Sequence, residues 1–389
     1  MKIAFVNTPW TVTPFPVHTG DSIGLCTQAL ALRLGTVQDV VIYGHKKLHQ
    51  AEVIHAAGVQ FRRVTTLLDQ YVLNPWVQRC SKLLWPKQSP FSCGGLHLSY
   101  ALQVAWDLRS QGCDVVHVQN FSQFVPIIRR FNPRIKIVLH THNEWLMQFD
   151  HDRIVRRLAQ TDLVVACSDY LTTEHRQRFP EFSDRCVTVF NGVDPHRFMP
   201  LEKPFGKRLL FIGRVSPEKG VHTLLEAFNQ LAAIDPEVQL TIVGALSPIS
   251  RLGMLALSRD PQVRSLANLC DRYVPYLHSL LSPTAAARVH FVGEVEQSQL
   301  SLYLQQSDVL VNPSFSESCG LSVVEAMATG LPVVAAEVGG MTNTVVAGET
   351  GLFFQAGNVA QLTETLRSLL QNPDYACVLG QRGRQRALE

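Results

Sequence analysis

The 389-residue chain has no uninterrupted apolar stretch near the roughly 18 residues of a helical membrane span. Its first apolar run, residues 1–6, is too short for a signal-peptide core and is soon broken by Pro9 and Pro14, so it reads as a buried strand. No two cysteines stand at C-x-x-C spacing, and nine is an odd count, so neither a zinc-ribbon pattern nor a disulfide framework is expected. Several cysteines sit inside apolar runs such as Val164-Val165-Ala166-Cys167. Buried reduced thiols predict a cytoplasmic protein. Charge is scarce at 17% of residues while 46% are hydrophobic, and mean hydropathy is +0.06. That balance excludes a disordered chain. The net charge of +3 divides into +6 for residues 1–198 and −3 for residues 199–389. This is too diffuse for a nucleic-acid-binding stripe, but it suits a first half that meets an anionic surface or acceptor. No D-x-D stands in a loop context that would hold a metal, so no metal is expected.

The length fits two domains rather than one core. The first half alternates short β-rich runs with helical ones: strands are expected near 3–7, 40–43, 115–118, 137–140 and 163–166, with a helix over 24–34. The pattern restarts near 208, with strands near 209–212, 239–243, 289–292, 309–312 and 332–335 and a helix over 221–232. Turn formers gather in Asn191-Gly192-Val193-Asp194-Pro195 and in 200–205. The linker is therefore placed there, giving domains 1–198 and 199–389. Repeated β-α-β units predict an α/β protein of two doubly wound, Rossmann-like domains, facing each other across a cleft at the carboxyl ends of their strands. Two segments are less regular. Residues 71–91 carry Tyr71, Trp76, Trp85 and Phe91 among Arg79, Lys82 and Lys87, and residues 247–287 read as a helical insertion.

The chemistry concentrates in Asn312-Pro313-Ser314-Phe315-Ser316-Glu317-Ser318-Cys319-Gly320-Leu321-Ser322-Val323-Val324-Glu325. A strand ends at Asn312, and a helix starts near Gly320 or Leu321 and stops at Gly330. Such a helix start aims backbone N–H groups and a positive dipole end at a phosphate or developing anion. Glu317 stands before it and Glu325 about one turn inside, so two carboxylates eight residues apart can grip the ends of one extended ligand. The second piece is Gly213-Arg214-Val215-Ser216-Pro217-Glu218-Lys219-Gly220, where a strand runs into a loop with two cations suited to a diphosphate leaving group. Taken singly, each of these residues also fits an ordinary solvated surface charge.

Together they resemble the family 4 glycosyltransferases, which are retaining and have the GT-B fold. Glu317 and Glu325 match that family's E-x7-E motif, and Gly213-Arg214 with Lys219-Gly220 match its G-R-x-x-x-x-K-G loop. Phe291-Val292-Gly293-Glu294-Val295 resembles its F-x-G-x-V turn, and Asn191-Gly192-Val193-Asp194 its N-G-V-D. The resemblance implies that Glu325 holds the nucleotide ribose and that Glu317 contacts the donor sugar near the reacting carbon. It implies that the backbone of Cys319, Gly320 and Leu321 faces the distal phosphate and sugar, that Val295 lies near the base, and that Arg214 and Lys219 hold the diphosphate in place of a metal. In the first half, Gly20-Asp21-Ser22-Ile23-Gly24 stands where the family has a glycine-rich loop, with Gly24 near the donor phosphate or acceptor. The usual paired glycines are absent. His140 and His142 both qualify for the family's histidine near the donor sugar, and strand register favours His140.

The expected function is therefore metal-independent, retaining transfer of a sugar from a UDP- or GDP-sugar to a glycan, lipid-linked or small-molecule acceptor. The nucleotide sugar is a co-substrate, and no further cofactor is expected. A nucleotide-sugar epimerase would want a different carboxylate arrangement. A non-catalytic nucleotide-sugar-binding scaffold would be expected to have lost Glu317, Arg214 or Lys219, and all three are present. Aromatics among cations in 71–91 raise a peripheral contact with the inner membrane face. Residues 381–389 end within a helical pattern where the family continues into a last crossover helix, so a truncated chain is expected.

Overall fold

The computed structural model describes residues 1–13, 21–47, 49–84, 90–246, 258 and 261–389. Gly20, Trp85 and Lys87 lie outside the described residues, as do 247–257 of the expected insertion. Contacts divide the chain into two compact units that part between Phe190 and Asn191.

The first unit is built on one eight-stranded sheet: β1 (Lys2–Val6), β2 (Asp39–His45), β3 (Val53–Ala56), β4 (Val59–Val64), β5 (Val115–Gln119), β6 (Lys136–Thr141), β7 (Leu163–Ala166) and β8 (Cys186–Thr188). Their order is β3-β4-β2-β1-β5-β6-β7-β8. All neighbouring pairs are parallel except β3 with β4. The central strands are buried along nearly their whole length, with Phe5, Ile42, Val116 and Leu139 at 1% exposure or less. Helices on both faces cover such strands, which is why their sequences are apolar runs without alternation.

Sequence periodicity did not find β3 and β4. They form a hairpin through Ala57 and Gly58, both at positive φ (48° and 76°). That is the backbone of a two-residue primed turn, but its usual Asn-Gly signal is absent. β8 and the later strand Leu352–Phe354 have three residues each, too few to show a period. Residues 71–84 are more regular than expected. A π-helical turn, Asp69–Leu73, runs into the helix Asn74–Leu84.

The second unit carries β9 (Arg208–Ile212), β10 (Gln239–Val243), β11 (Val289–Gly293), β12 (Val309–Asn312), β13 (Val333–Ala336) and β14 (Leu352–Phe354). Their order is β11-β10-β9-β12-β13-β14, all parallel. This is the doubly wound order of a dinucleotide-binding sheet, with its reversal between β9 and β12. Phe198 packs in this unit's core with Leu210, Leu310 and Val323, so residues 191–198, read from the sequence as the end of the first domain, group by contact with the second unit. The helix Pro373–Leu388 closes over the same unit, with Arg384 donating to the Phe198 and Ala328 carbonyls. Among the described residues no helix is long and apolar enough to cross a membrane.

Candidate active site at the carboxyl end of the second sheet

At the β9/β12 reversal the outgoing connections leave in opposite directions, and the loops after the two strands meet with no helix between them. Both motif loops grow from this point: 213–220 follows β9 and 313–320 follows β12. Their approach depends on glycine. Gly220 sits at φ 68°, and a Cβ there would run into the Pro313 carbonyl. The Phe315 N–H donates to the Glu218 carbonyl at 2.8 Å, locking one loop to the other.

The site's charges are already matched in pairs. Lys219 Nζ donates to Glu317 Oε2 at 2.6 Å. Arg214 Nη2 donates to Glu218 Oε1 at 3.0 Å, and the Ser216 hydroxyl donates to the same oxygen at 2.6 Å. Glu218 is buried, and its other oxygen has no partner among the described residues. Beneath the loops, the Phe315 ring stacks on His222 with centroids 5.4 Å apart and planes 5° apart. Burial lowers the His222 pKa to about 4, so this floor is uncharged at neutral pH.

The helix Leu321–Ala328 begins at Gly320, whose φ of 77° and missing side chain leave the first turn with no side-chain cap. The N–H groups there are oriented to receive an anion. The preceding loop is fixed from behind: Gly340 N–H donates to the Glu317 carbonyl at 2.8 Å, and the Thr344 hydroxyl to the Cys319 carbonyl at 2.9 Å. Glu325, one turn in, is 5% exposed. Desolvation raises its pKa to about 7, against the opposing pull of the Arg197 guanidinium. Val295 is half-buried and packs, with Ile212 at the end of β9, against the core beneath the site. Among the described residues no three of His, Cys, Asp and Glu gather as a metal would require.

Gly24 and the two histidines belong to the first unit. Gly24 N–H donates to the Asp21 carboxylate at 3.2 Å, so Asp21 caps the helix Ser22–Leu34. His140 is 8% exposed within β6, and neither ring nitrogen has a partner among the described residues. His142, just past the strand end, is half-buried and engages Gln119 Oε1 through Nε2 at 2.8 Å. The two rings lie 4.2 Å apart, and His117 is 6.1 Å from His140. Burial holds all three below the ordinary histidine range, His142 and His117 at about 4. Sequence reasoning missed Glu218, Ser216 and Arg197. The four-residue spacing of Arg214 and Glu218 was the available signal for the first.

The family model described as Glycosyl transferases group 1 matches residues 195–386, and that described as Glycosyltransferase Family 4 matches residues 37–197. Spore coat protein SA of Bacillus subtilis is 27% identical over 100% of this chain and 94% of its own length. D-inositol 3-phosphate glycosyltransferase 2 of Catenulispora acidiphila is 30% identical over 66% of this chain, which spans 60% of that protein. The solved Anabaena Alr3699/HepE complex with UDP-glucose superposes with a TM-score of 0.68 at 19% identity, covering 100% of this chain and 94% of that one. With two Rossmann-like units of the GT-B class and both family models matched in succession, the chain belongs to the family 4 glycosyltransferases.

Proposed function

We propose that this glycosyltransferase is retaining and metal-independent, and that it transfers a sugar from a UDP- or GDP-sugar to a glycan, lipid-linked or small-molecule acceptor. The observation that carries this reading is the meeting of Arg214, Lys219 and Glu317 with an uncapped helix start at the switch point of the second sheet. In this reading Arg214 and Lys219 take the diphosphate and the charge that grows on it as the sugar leaves. The backbone of Cys319, Gly320 and Leu321 faces the distal phosphate and sugar, Glu317 receives sugar hydroxyls, Glu325 the ribose, and Val295 borders the base. Of the first-unit pair His140 is buried within β6 and His142 half-buried just beyond it, and one of the two, by strand register His140, lies near the donor sugar. With no carboxylate among the described residues in an evident nucleophilic position, substitution on the face of the departing diphosphate is the favoured course. The test is transfer from a panel of nucleotide sugars in the presence of a chelator, with the product anomer read by proton NMR. Retained configuration at undiminished rate is expected. Inversion, or loss of activity with the chelator, overturns the reading.

Peripheral membrane contact belongs to the same proposal. Leu67, Leu68, Tyr71, Val72, Trp76 and Leu83 are all exposed, Tyr71 at 75% and Trp76 at 65%. A row of this kind in the more basic half suits an anionic lipid surface and a lipid-linked acceptor.

A further inference from the structure

Charge also gathers at the amino end of the first sheet, at the far end of β6 from His140 and His142. β6, β7 and β8 are adjacent and parallel, so the turns that enter them lie side by side. Those turns bring Arg134 and Lys136, Gln160 and Asp162, and Arg185 around one cavity of about 740 Å³, which Arg129 of the helix Phe124–Phe131 also lines. That volume is ample for a small ligand. The walls are tied together from within. Arg129 donates to the Pro133 carbonyl at 3.1 Å, the Ile135 carbonyl at 2.7 Å, the Gln160 carbonyl at 3.0 Å and the Asp162 carboxylate at 2.7 Å. Arg185 donates to the Thr161 carbonyl at 3.1 Å. Asp162 accepts in addition from Lys136 and from the Ile137 N–H, each at 2.9 Å. Burial works against its charge, but these donors hold its pKa at about 2.

What the lining has left to offer is cationic. Four cations stand around the cavity, and Asp162 is the only carboxylate lining it among the described residues. Arg129 is spent on the walls. Arg134 is exposed and has no partner among the described residues, Arg185 commits one Nη, and Lys136 commits one of its three donors. Two guanidinium forks and an ammonium suit phosphate oxygens. Three such groups on separate turns of so large a cavity fit more than one phosphate. No aromatic ring lines it among the described residues, so a nucleotide base has nothing to stack on. A lipid headgroup is disfavoured by position. The exposed row from Leu67 to Leu83 leaves the carboxyl end of β4, and Asp69 within it accepts from the first N–H groups of the helix Leu98–Gln111, which leads back to β5. A membrane meeting that row lies at the opposite end of the sheet from the cavity.

We propose that this cavity binds a small soluble molecule bearing two or more phosphates, taken by Arg134, Lys136 and Arg185, at a site lying wholly within the first unit. The proposal is independent of the transferase reading. The experiment is calorimetry of the full chain with inorganic tripolyphosphate at low salt. It is run on wild type and on Arg214→Ala/Lys219→Ala, which lacks the cations proposed to hold the donor diphosphate. Tripolyphosphate should bind both proteins, about tenfold or more tighter than orthophosphate or citrate. Arg134→Gln/Arg185→Gln should weaken it about tenfold or more, and Arg134→Lys/Arg185→Lys, which keeps the charge, should recover most of the loss. Arg33→Gln/Arg382→Gln removes the same charge at two exposed positions that do not line the cavity, and should change affinity less than about twofold, as screened long-range charge does. Equal weakening by the two Gln pairs, binding lost in Arg214→Ala/Lys219→Ala, orthophosphate or citrate bound as tightly, or no binding at all would each overturn the proposal. So would a cavity that takes lipid instead: phosphatidylglycerol vesicles that sediment wild type but not Arg134→Gln/Arg185→Gln, with tripolyphosphate unbound.

Discussion

Glu325 carries a cost in stability that its proposed role explains. Its carboxyl lies buried one turn into the helix Leu321–Ala328, and desolvation raises its pKa from 4.5 to about 7. The sign follows from linkage. A raised carboxyl pKa means that the folded state holds its proton more tightly than the unfolded one, so this contribution is present below pH 4.5 and is lost as pH rises toward 7. At about 1.4 kcal/mol per unit, the loss at pH 8 is about 3 kcal/mol. Glu325→Gln, which is neutral at every pH, should therefore be more stable than wild type at pH 8 by up to about 3 kcal/mol and nearly equal to it at pH 4.5, read by urea denaturation. Ligand binding should move the opposite way. Two ribose hydroxyls need an ionised acceptor, and between pH 8 and pH 6 the ionised fraction falls from roughly 0.9 to roughly 0.1. Nucleoside diphosphate affinity should fall about tenfold over that span beyond any change in the ligand's own ionisation. The Gln variant isolates that excess, since it shares the ligand's titration and lacks the protein's. Calorimetry at both pH values decides the matter. A Gln variant no more stable than wild type at pH 8, or one with the same affinity and the same pH slope, refutes the reasoning.

Arg214→Ala and Lys219→Ala should each lower kcat by one to two decades, the ~1.5–3 kcal/mol of a charge-assisted bond made best to the leaving diphosphate; a folded variant with wild-type kcat contradicts the assignment. Glu317→Gln frees Lys219 from its 2.6 Å partner, so bare nucleoside diphosphate should bind a few-fold tighter while transfer falls; calorimetry showing weaker binding counts against the pairing. His97, His117, His142, His175 and His222 are all held near 4 by burial. Their contribution to stability is present above about pH 6.5 and is lost as pH falls toward 4, against the smaller opposite trend of Glu325; denaturation midpoints that rise between pH 6.5 and 4.5 would disagree. The protein should cosediment weakly with anionic liposomes at low salt, at about 1 kcal/mol per basic residue near the surface, and Tyr71→Ala/Trp76→Ala should abolish this; wild type remaining in the supernatant removes the membrane contact.

The ten strands read from the sequence are all present within two residues at either end, because buried parallel strands announce themselves as short apolar runs between turn formers. What was illegible depends on partners rather than on local pattern. The β3–β4 hairpin turns on Ala57 adopting a left-handed backbone, which its side chain does not advertise. Whether His140 or His142 falls within the strand depends on where β6 ends beside β5, and the structure leaves His140 inside it and His142 just beyond it. The unit boundary is set by Phe198 choosing the core around Leu310, a tertiary contact that a Pro- and Gly-rich linker signal cannot locate to the residue. Motif residues were legible in kind and spacing. Their pairing was not, since Lys219 and Glu317 are 98 positions apart.

That pairing bears on how the site works. An unpaired cation in the 213–220 loop would attract any passing phosphate, whereas Lys219 held by Glu317 and Arg214 held by Glu218 present a nearly neutral surface. In the proposed reading a diphosphate must compete with Glu317 for Lys219, and success leaves Glu317 without its cation. A free nucleoside diphosphate offers nothing in return, but a nucleotide sugar brings hydroxyls that the released carboxylate can accept. In the proposed reading the arrangement would discriminate for the complete donor over its spent product, through one ion pair. Glu218 cannot be displaced in the same way. It is buried, accepts from Ser216 as well as Arg214, and ties its carbonyl to Phe315, so in the proposed reading Arg214 would stay fixed as the permanent half of a diphosphate clamp while Lys219 would be the half that exchanges.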